Sequence, residues 1–145
     1  MPNKSHQYCT FTVERFFFGV RVTQVQEVVR HQPLTRVPLA APEVRGLINL
    51  RGQIITAIDL RRRLQLAERP AGQAPMNVLL HTSDGAVSLL VDQIEDVLEV
   101  GEDTIERPPE TVRGSARQLI SGASKQKNRL LLILDTVKTL DLTAN

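Results

Sequence analysis

The chain has 145 residues, with 18 basic against 16 acidic side chains, 41% hydrophobic residues and only 3% aromatics. That length suits one domain or two small fused units with their own core, and the single cysteine, Cys9, excludes an internal disulfide or a cysteine-based metal cluster. No apolar run approaches the ~20 residues of a membrane-crossing helix, and no apolar signal-peptide core follows Met1-Pro2-Asn3-Lys4-Ser5-His6, so the expected compartment is the cytoplasm.

Along the chain, Phe16, Phe18, Val20 and Val22 alternate with Phe17, Gly19 and Arg21, the period of a strand. Val25, Val28 and Val29 follow a helical spacing that leaves Glu27 at the edge of the buried side. Residues 46–50 and 53–58 read as a hairpin turning at Arg51-Gly52. Residues 77–82 and 86–91 read as a second, with Asp84-Gly85 supplying the positive φ angles of a tight turn. Asp59 and Asp135 each close an apolar strand and can cap a short helix, over residues 60–64 and 136–142. Pro33, Pro38, Pro42, Pro108 and Pro109 break the connections, and residues 65–77, with Pro70, Gly72 and Pro75, read as a flexible linker.

The chain reads as a duplication. Residues 20–29 match residues 89–98, Pro42-Glu43-Val44-Arg45-Gly46 echoes residues 109–114, and residues 54–60 echo residues 130–136, all in the same order. One feature is not shared: where the first copy has the turn Asn49-Leu50-Arg51-Gly52, the second has the dissimilar stretch 121–128, read as a longer turn. Each copy carries about five short strands, which suits a small closed barrel, and two such barrels leave a cleft between them. The expected architecture is all-β with short helices: two five-stranded SH3-like lobes, at about 16–66 and 77–142, within one domain spanning 8–142, with strand exchange between lobes left open.

Charge is segregated along the chain. Residues 1–70 carry ten Arg and one Lys against five acids, and residues 71–110 carry one Arg against nine acids. If these segments fold separately, one face is basic and another acidic, and such a molecule can dock two unlike partners. No catalytic constellation is present. His6, His31 and His81 lie in no metal or triad spacing, and there is no Gly-rich phosphate loop. Arg61-Arg62-Arg63 can touch phosphate or form a solvated helix face. Scarce aromatics weaken a nucleic-acid reading, which survives only as a small basic β-barrel alternative.

Arg51 can grip Glu27 through its planar fork and set the wall of a binding surface. Residues 25–28, Arg36-Val37-Pro38 and Gly46-Leu47-Ile48-Asn49-Leu50-Arg51-Gly52 through Ile58-Asp59-Leu60 resemble the CheW family of chemotaxis adaptors, and the likeness extends from about Tyr8 to Leu142. The resemblance implies two SH3-like barrels with a hydrophobic cleft, no enzymatic activity and no cofactor. It implies coupling of a chemoreceptor cytoplasmic tip to the regulatory domain of the histidine kinase CheA, with other CheW-like domains as further partners in rings. It places the protein at receptor arrays through its partners, with no nucleic-acid partner and no membrane insertion. It also assigns partner contact to Glu27, Arg45, Gly46, Asn49 and Arg51. The Arg-rich first segment departs from the family pattern and leaves open a specialised, non-flagellar chemosensory pathway.

Overall fold

The computed structural model describes residues 4–142; Met1–Asn3, which belong to the N-terminal reading above, and residues 143–145 lie outside it. The strands are β1 (Ser5–Val13), β2 (Phe16–Arg21), β3 (Val25–Val29), β4 (Val44–Leu50), β5 (Gln53–Asp59), β6 (Met76–Thr82), β7 (Gly85–Val91), β8 (Gln93–Ile94), β9 (Leu98–Gly101), β10 (Ile105–Glu106), β11 (Ile120–Gln126) and β12 (Arg129–Leu134). Three short helices accompany them: α1 (Leu60–Arg63), α2 (Ser115–Leu119) and α3 (Thr136–Leu140). The fold is thus mostly β, in two sheets. One runs β10-β11-β12-β2-β1-β8 with β9 also on β1, and the other runs β3-β6-β7-β5-β4.

Two units follow these sheets, one from Thr23–Gln93 and the other from the residues up to Val22 together with those from Ile94 onward. The lobe spans 16–66 and 77–142 therefore do not describe the units. β6 and β7 pair with β3 and β5, while β2 lies parallel to β12. The reason is burial. Val78, Leu79, Leu80, Leu89, Leu90 and Val91 are all buried, so the β6–β7 hairpin has two apolar faces and takes the middle of a sheet. The same exchange cancels the charge segregation. The acidic stretch is cut at Gln93, leaving eight basic against six acidic residues in one unit and ten against ten in the other. The expected division into a basic and an acidic unit is corrected accordingly.

In one unit a backbone bridge links the two ends of the sheet. In the Thr23–Gln93 unit the chain after β3 crosses to β4, where Thr35 and Leu47 exchange two backbone hydrogen bonds of 2.9 and 2.8 Å. Ile48, Leu50, Ile55, Ala57, Leu79 and Leu90 fill the interior, and Val29 and Leu34 from the β3 side pack on them. Gly46 permits the closure. A Cβ there would collide with the Thr35 carbonyl oxygen and stand 3.0 Å from its carbon, and its φ of 151° is one that L residues rarely adopt. In the other unit β9 and β10 are joined by a single 3-10 turn, Glu102–Thr104, so the strands at its two ends are consecutive in the chain. Tyr8, Phe17, Val100, Leu131 and Ile133 form a cluster inside it.

Several local expectations change. Glu27 lies in a strand, because β3 pairs with β6 and only the short turn Val22–Gln24 before it is helical. The β6–β7 turn centres on Ser83-Asp84, with Gly85 alone at positive φ, 112°. The stretch 121–128 is mostly strand. Gln126 pairs with Arg129 across the two-residue turn Lys127-Asn128, so the second hairpin turns as tightly as the first.

Candidate functional site

The five residues singled out in the sequence share β4 and its neighbours, but they do not form one cluster. At one end of β4, Arg51 and Gly52 are the two central residues of the β4–β5 turn, with φ of 51° and 87°. Positive φ at both positions is what a tight turn between right-twisted strands requires. Gly52 adopts it freely, whereas a β-carbon-bearing residue such as Arg51 holds it at a cost of roughly 1–2 kcal/mol. Asn49 fastens the turn: its Oδ1 accepts from Gly52 N at 2.9 Å. The guanidinium of Arg51 then reaches across the seam of the sheet, and its Nη2 donates to Glu27 Oε2 on β3. Glu27 is the more sheltered partner and Arg51 stays largely exposed. Val28 and Ile54, on the two strands that supply the pair, are exposed apolar residues. The result is a strained turn that presents a guanidinium already oriented by a carboxylate.

Arg45 belongs elsewhere. At the opposite end of β4 it lies 3.2 Å from Glu68 and 3.9 Å from Asp59, so it is not grouped with Glu27, Asn49 and Arg51. Gly46 has the backbone task already described.

Sequence reading missed the buried ionic network behind Arg45. Arg61 Nε and Nη2 grip Asp92 at 3.0 and 2.6 Å, and its Nη1 donates to the carbonyl oxygens of Ala67 and Glu68. Arg69 Nε donates to Asp92 at 2.9 Å, while its Nη1 and Nη2 hold Asp59 at 3.1 Å each. Asp59 Oδ1 also caps α1 by accepting from Arg61 N. All four side chains are at least nine-tenths buried. This corrects two expectations. Arg61 is not part of a solvated face, and the segment after α1 is fastened by its own Arg69 and by backbone carbonyls rather than left loose. A signal was present: Asp59 ends and Asp92 follows apolar strands that run parallel, and carboxylates placed there are too costly to bury unless arginines reach them.

The other unit carries an ion pair of its own. Arg129 Nη1 and Nη2 donate to Glu95 Oε1 and Oε2 at 2.6 and 3.0 Å, and the guanidinium stacks 3.7 Å from the centre of the Phe17 ring. The hydrogen bond from Arg129 holds the Glu95 carboxyl below its ordinary range. A cavity of about 280 Å³ lies beside this pair. Of the histidines, His6 pairs with Glu102 at 2.6 Å, and His31 and His81 are exposed. Among the described residues no group of His, Cys, Asp and Glu could hold a metal ion, and no helix is long and apolar enough to cross a membrane.

Comparison with known proteins identifies the family. The CheW-like domain family matches residues 7–144. The chain is 38% identical over 131 residues to the chemotaxis protein CheW of Bacillus subtilis, covering 90% of this chain and 84% of that one. It is 29% identical over 140 residues to that of Treponema pallidum, covering 94% and 82%. Among solved structures, the crystal structure of the scaffolding protein TtCheW from Thermoanaerobacter tengcongensis superposes with a TM-score of 0.80 at 26% identity, covering 90% of this chain and 89% of that one. With the family matched over nearly its whole length, the chain belongs to the CheW-like domain family.

Proposed function

We propose that the protein is a non-enzymatic chemotaxis adaptor that couples chemoreceptors to the histidine kinase CheA, binding the regulatory domain of CheA and the cytoplasmic tip of a receptor. The observation that carries the reading is the Arg51–Glu27 pair on its strained turn, since strain of that kind persists where surrounding structure holds a side chain ready for contact. Arg51, Glu27 and Asn49 form the contact, with Val28 and Ile54 as its apolar complement. Arg45 and Gly46 support it from the far end and the seam of β4. Receptor states that touch the adaptor differently then bias CheA between active and inactive forms, because a ligand shifts such an equilibrium only through differential contact. The protein works in the cytoplasm at receptor arrays, held there by its partners. The alternative, an adaptor of a specialised non-flagellar pathway, would use the same contacts.

The test is a titration of the purified chain against the regulatory domain of CheA from the same cell, repeated with Arg51→Ala. Saturable binding at physiological salt that Arg51→Ala weakens about tenfold, roughly 1.4 kcal/mol, supports the reading. No binding by a folded sample overturns it.

A further inference from the structure

The face of the Thr23–Gln93 unit farthest along β4 from the Arg51 turn carries a second, differently built surface. Leu34, residues 36–42, Val44, Arg45 and Arg62 line a cavity of about 790 Å³. On its rim Leu39 is fully exposed, and Val37 is exposed two residues before it. Leu39 also sits at φ 65°, a conformation that a leucine holds only when the surrounding chain imposes it. An exposed, strained leucine contributes nothing to this chain's own core.

The polar groups around it are arginines. Arg62 Nη1 donates to the Pro42 carbonyl oxygen at 2.9 Å, tying the end of the loop to α1. Arg62 Nε and Arg45 Nη1 share the two oxygens of Glu68, at 2.9 and 3.2 Å. Glu68 is placed by its neighbours: its carbonyl accepts from Arg61, and Arg69 beside it is locked onto Asp59 and Asp92. The buried network is therefore the base that holds two arginines on the cavity wall. Arg36 is exposed and makes no ion pair among the described residues. Arg45 and Arg62 thus share one carboxylate, and Arg36 and the exposed Leu39 line the same cavity.

We propose that this surface is a docking site for an acidic peptide segment of a partner protein, whose apolar anchor residue packs on Leu39 and Val37 while its carboxylates meet Arg36, Arg45 and Arg62. Charge complementarity selects the occupant. A guanidinium offers five donors, so Arg45 and Arg62 keep capacity beyond Glu68, and a planar carboxylate takes two donors at once. A nucleic acid fits less well, because no aromatic lines the cavity to stack a base. The site is separate from the Arg51 contact: residues 45 and 51 lie about 20 Å apart along an extended strand at ~3.4 Å per residue.

The experiment selects twelve-residue peptides from a random displayed library on the immobilised full chain, then measures the enriched peptide, made synthetically, by fluorescence anisotropy. The expected result is enrichment of Asp and Glu around one apolar residue. Affinity falls at least tenfold in Arg36→Glu and in Leu39→Asp, two exposed positions whose variants keep the parent urea midpoint. It changes less than twofold in Arg51→Ala, which separates this site from the adaptor contact. No enrichment, enriched peptides indifferent to both substitutions, or tighter binding of a twenty-nucleotide polyuridylate than of any peptide at these residues would each overturn the proposal.

Discussion

Arg51 and Glu27 come from strands at opposite ends of one hydrogen-bonded sheet, β4–β5 and β3, and meet because that sheet curls until its edges touch. The pair therefore reports on the closure of the unit as well as on its exposed face. These two roles are separable, because Arg51 holds a positive φ that glycine adopts without cost.

Arg51→Gly relieves the strained turn while removing the guanidinium. Its stability in urea is expected to equal or exceed that of the parent, since relief of roughly 1 kcal/mol offsets the loss of a largely exposed ion pair worth up to about 1 kcal/mol. Binding to the CheA regulatory domain falls about tenfold nonetheless. A variant that loses stability and binding together would make Arg51 a structural residue.

Exchanging the charges, Glu27→Arg with Arg51→Glu, is expected to recover part of the stability lost in either single variant. A double-mutant cycle measures this directly. Zero coupling energy would show that the pair contributes no direct interaction.

Gly46→Ala meets the Thr35 carbonyl at the seam. Neither partner can retreat, since Thr35 and Leu47 are joined by two backbone hydrogen bonds. Combined strain at φ 151° and backbone collision is expected to cost more than about 2 kcal/mol in urea unfolding. Gly52→Ala, with open space around its β-carbon, suffers only the φ penalty and loses less.

Asp92→Asn leaves Arg61 and Arg69 buried with one neutral partner where they had a carboxylate. Breaking a buried pair in this way costs about 3–5 kcal/mol. Residues 65–75 are then released, so limited proteolysis is expected to cut there in Asp92→Asn and to spare the parent. Equal resistance of both proteins would show that the segment is held by other means.

Acid sensitivity follows from Glu95. Its carboxyl titrates below the ordinary value of 4.5 because Arg129 hydrogen-bonds the charged form. A depressed folded value means that the contribution is complete above about pH 4.5 and is lost as pH falls through the lowered value. Glu95→Gln is expected to flatten this part of the stability curve below about pH 4.5, with little change in slope at neutral pH. Both residues are solvent-accessible, so the effect is small and weakens with added salt.

What was legible in the sequence was local. The β4–β5 turn at Arg51-Gly52, the Asp59 and Asp135 caps, and the apolar strands declare themselves through residues close together in the chain, where backbone preference and alternation act directly. The family signature was readable for the same reason, as short patterns close together in the chain. What only the tertiary structure decided were pairings between distant residues. Which sheet takes the β6–β7 hairpin depends on the burial of both its faces, and this choice cut the acidic stretch between two units. Arg61, read as solvent-facing or phosphate-touching, became buried because Asp92, 31 residues later, supplies a matching carboxylate. A charged side chain carries no mark of whether it will be solvated or paired; the free energy of burying it depends on a partner that only the closed fold brings within reach.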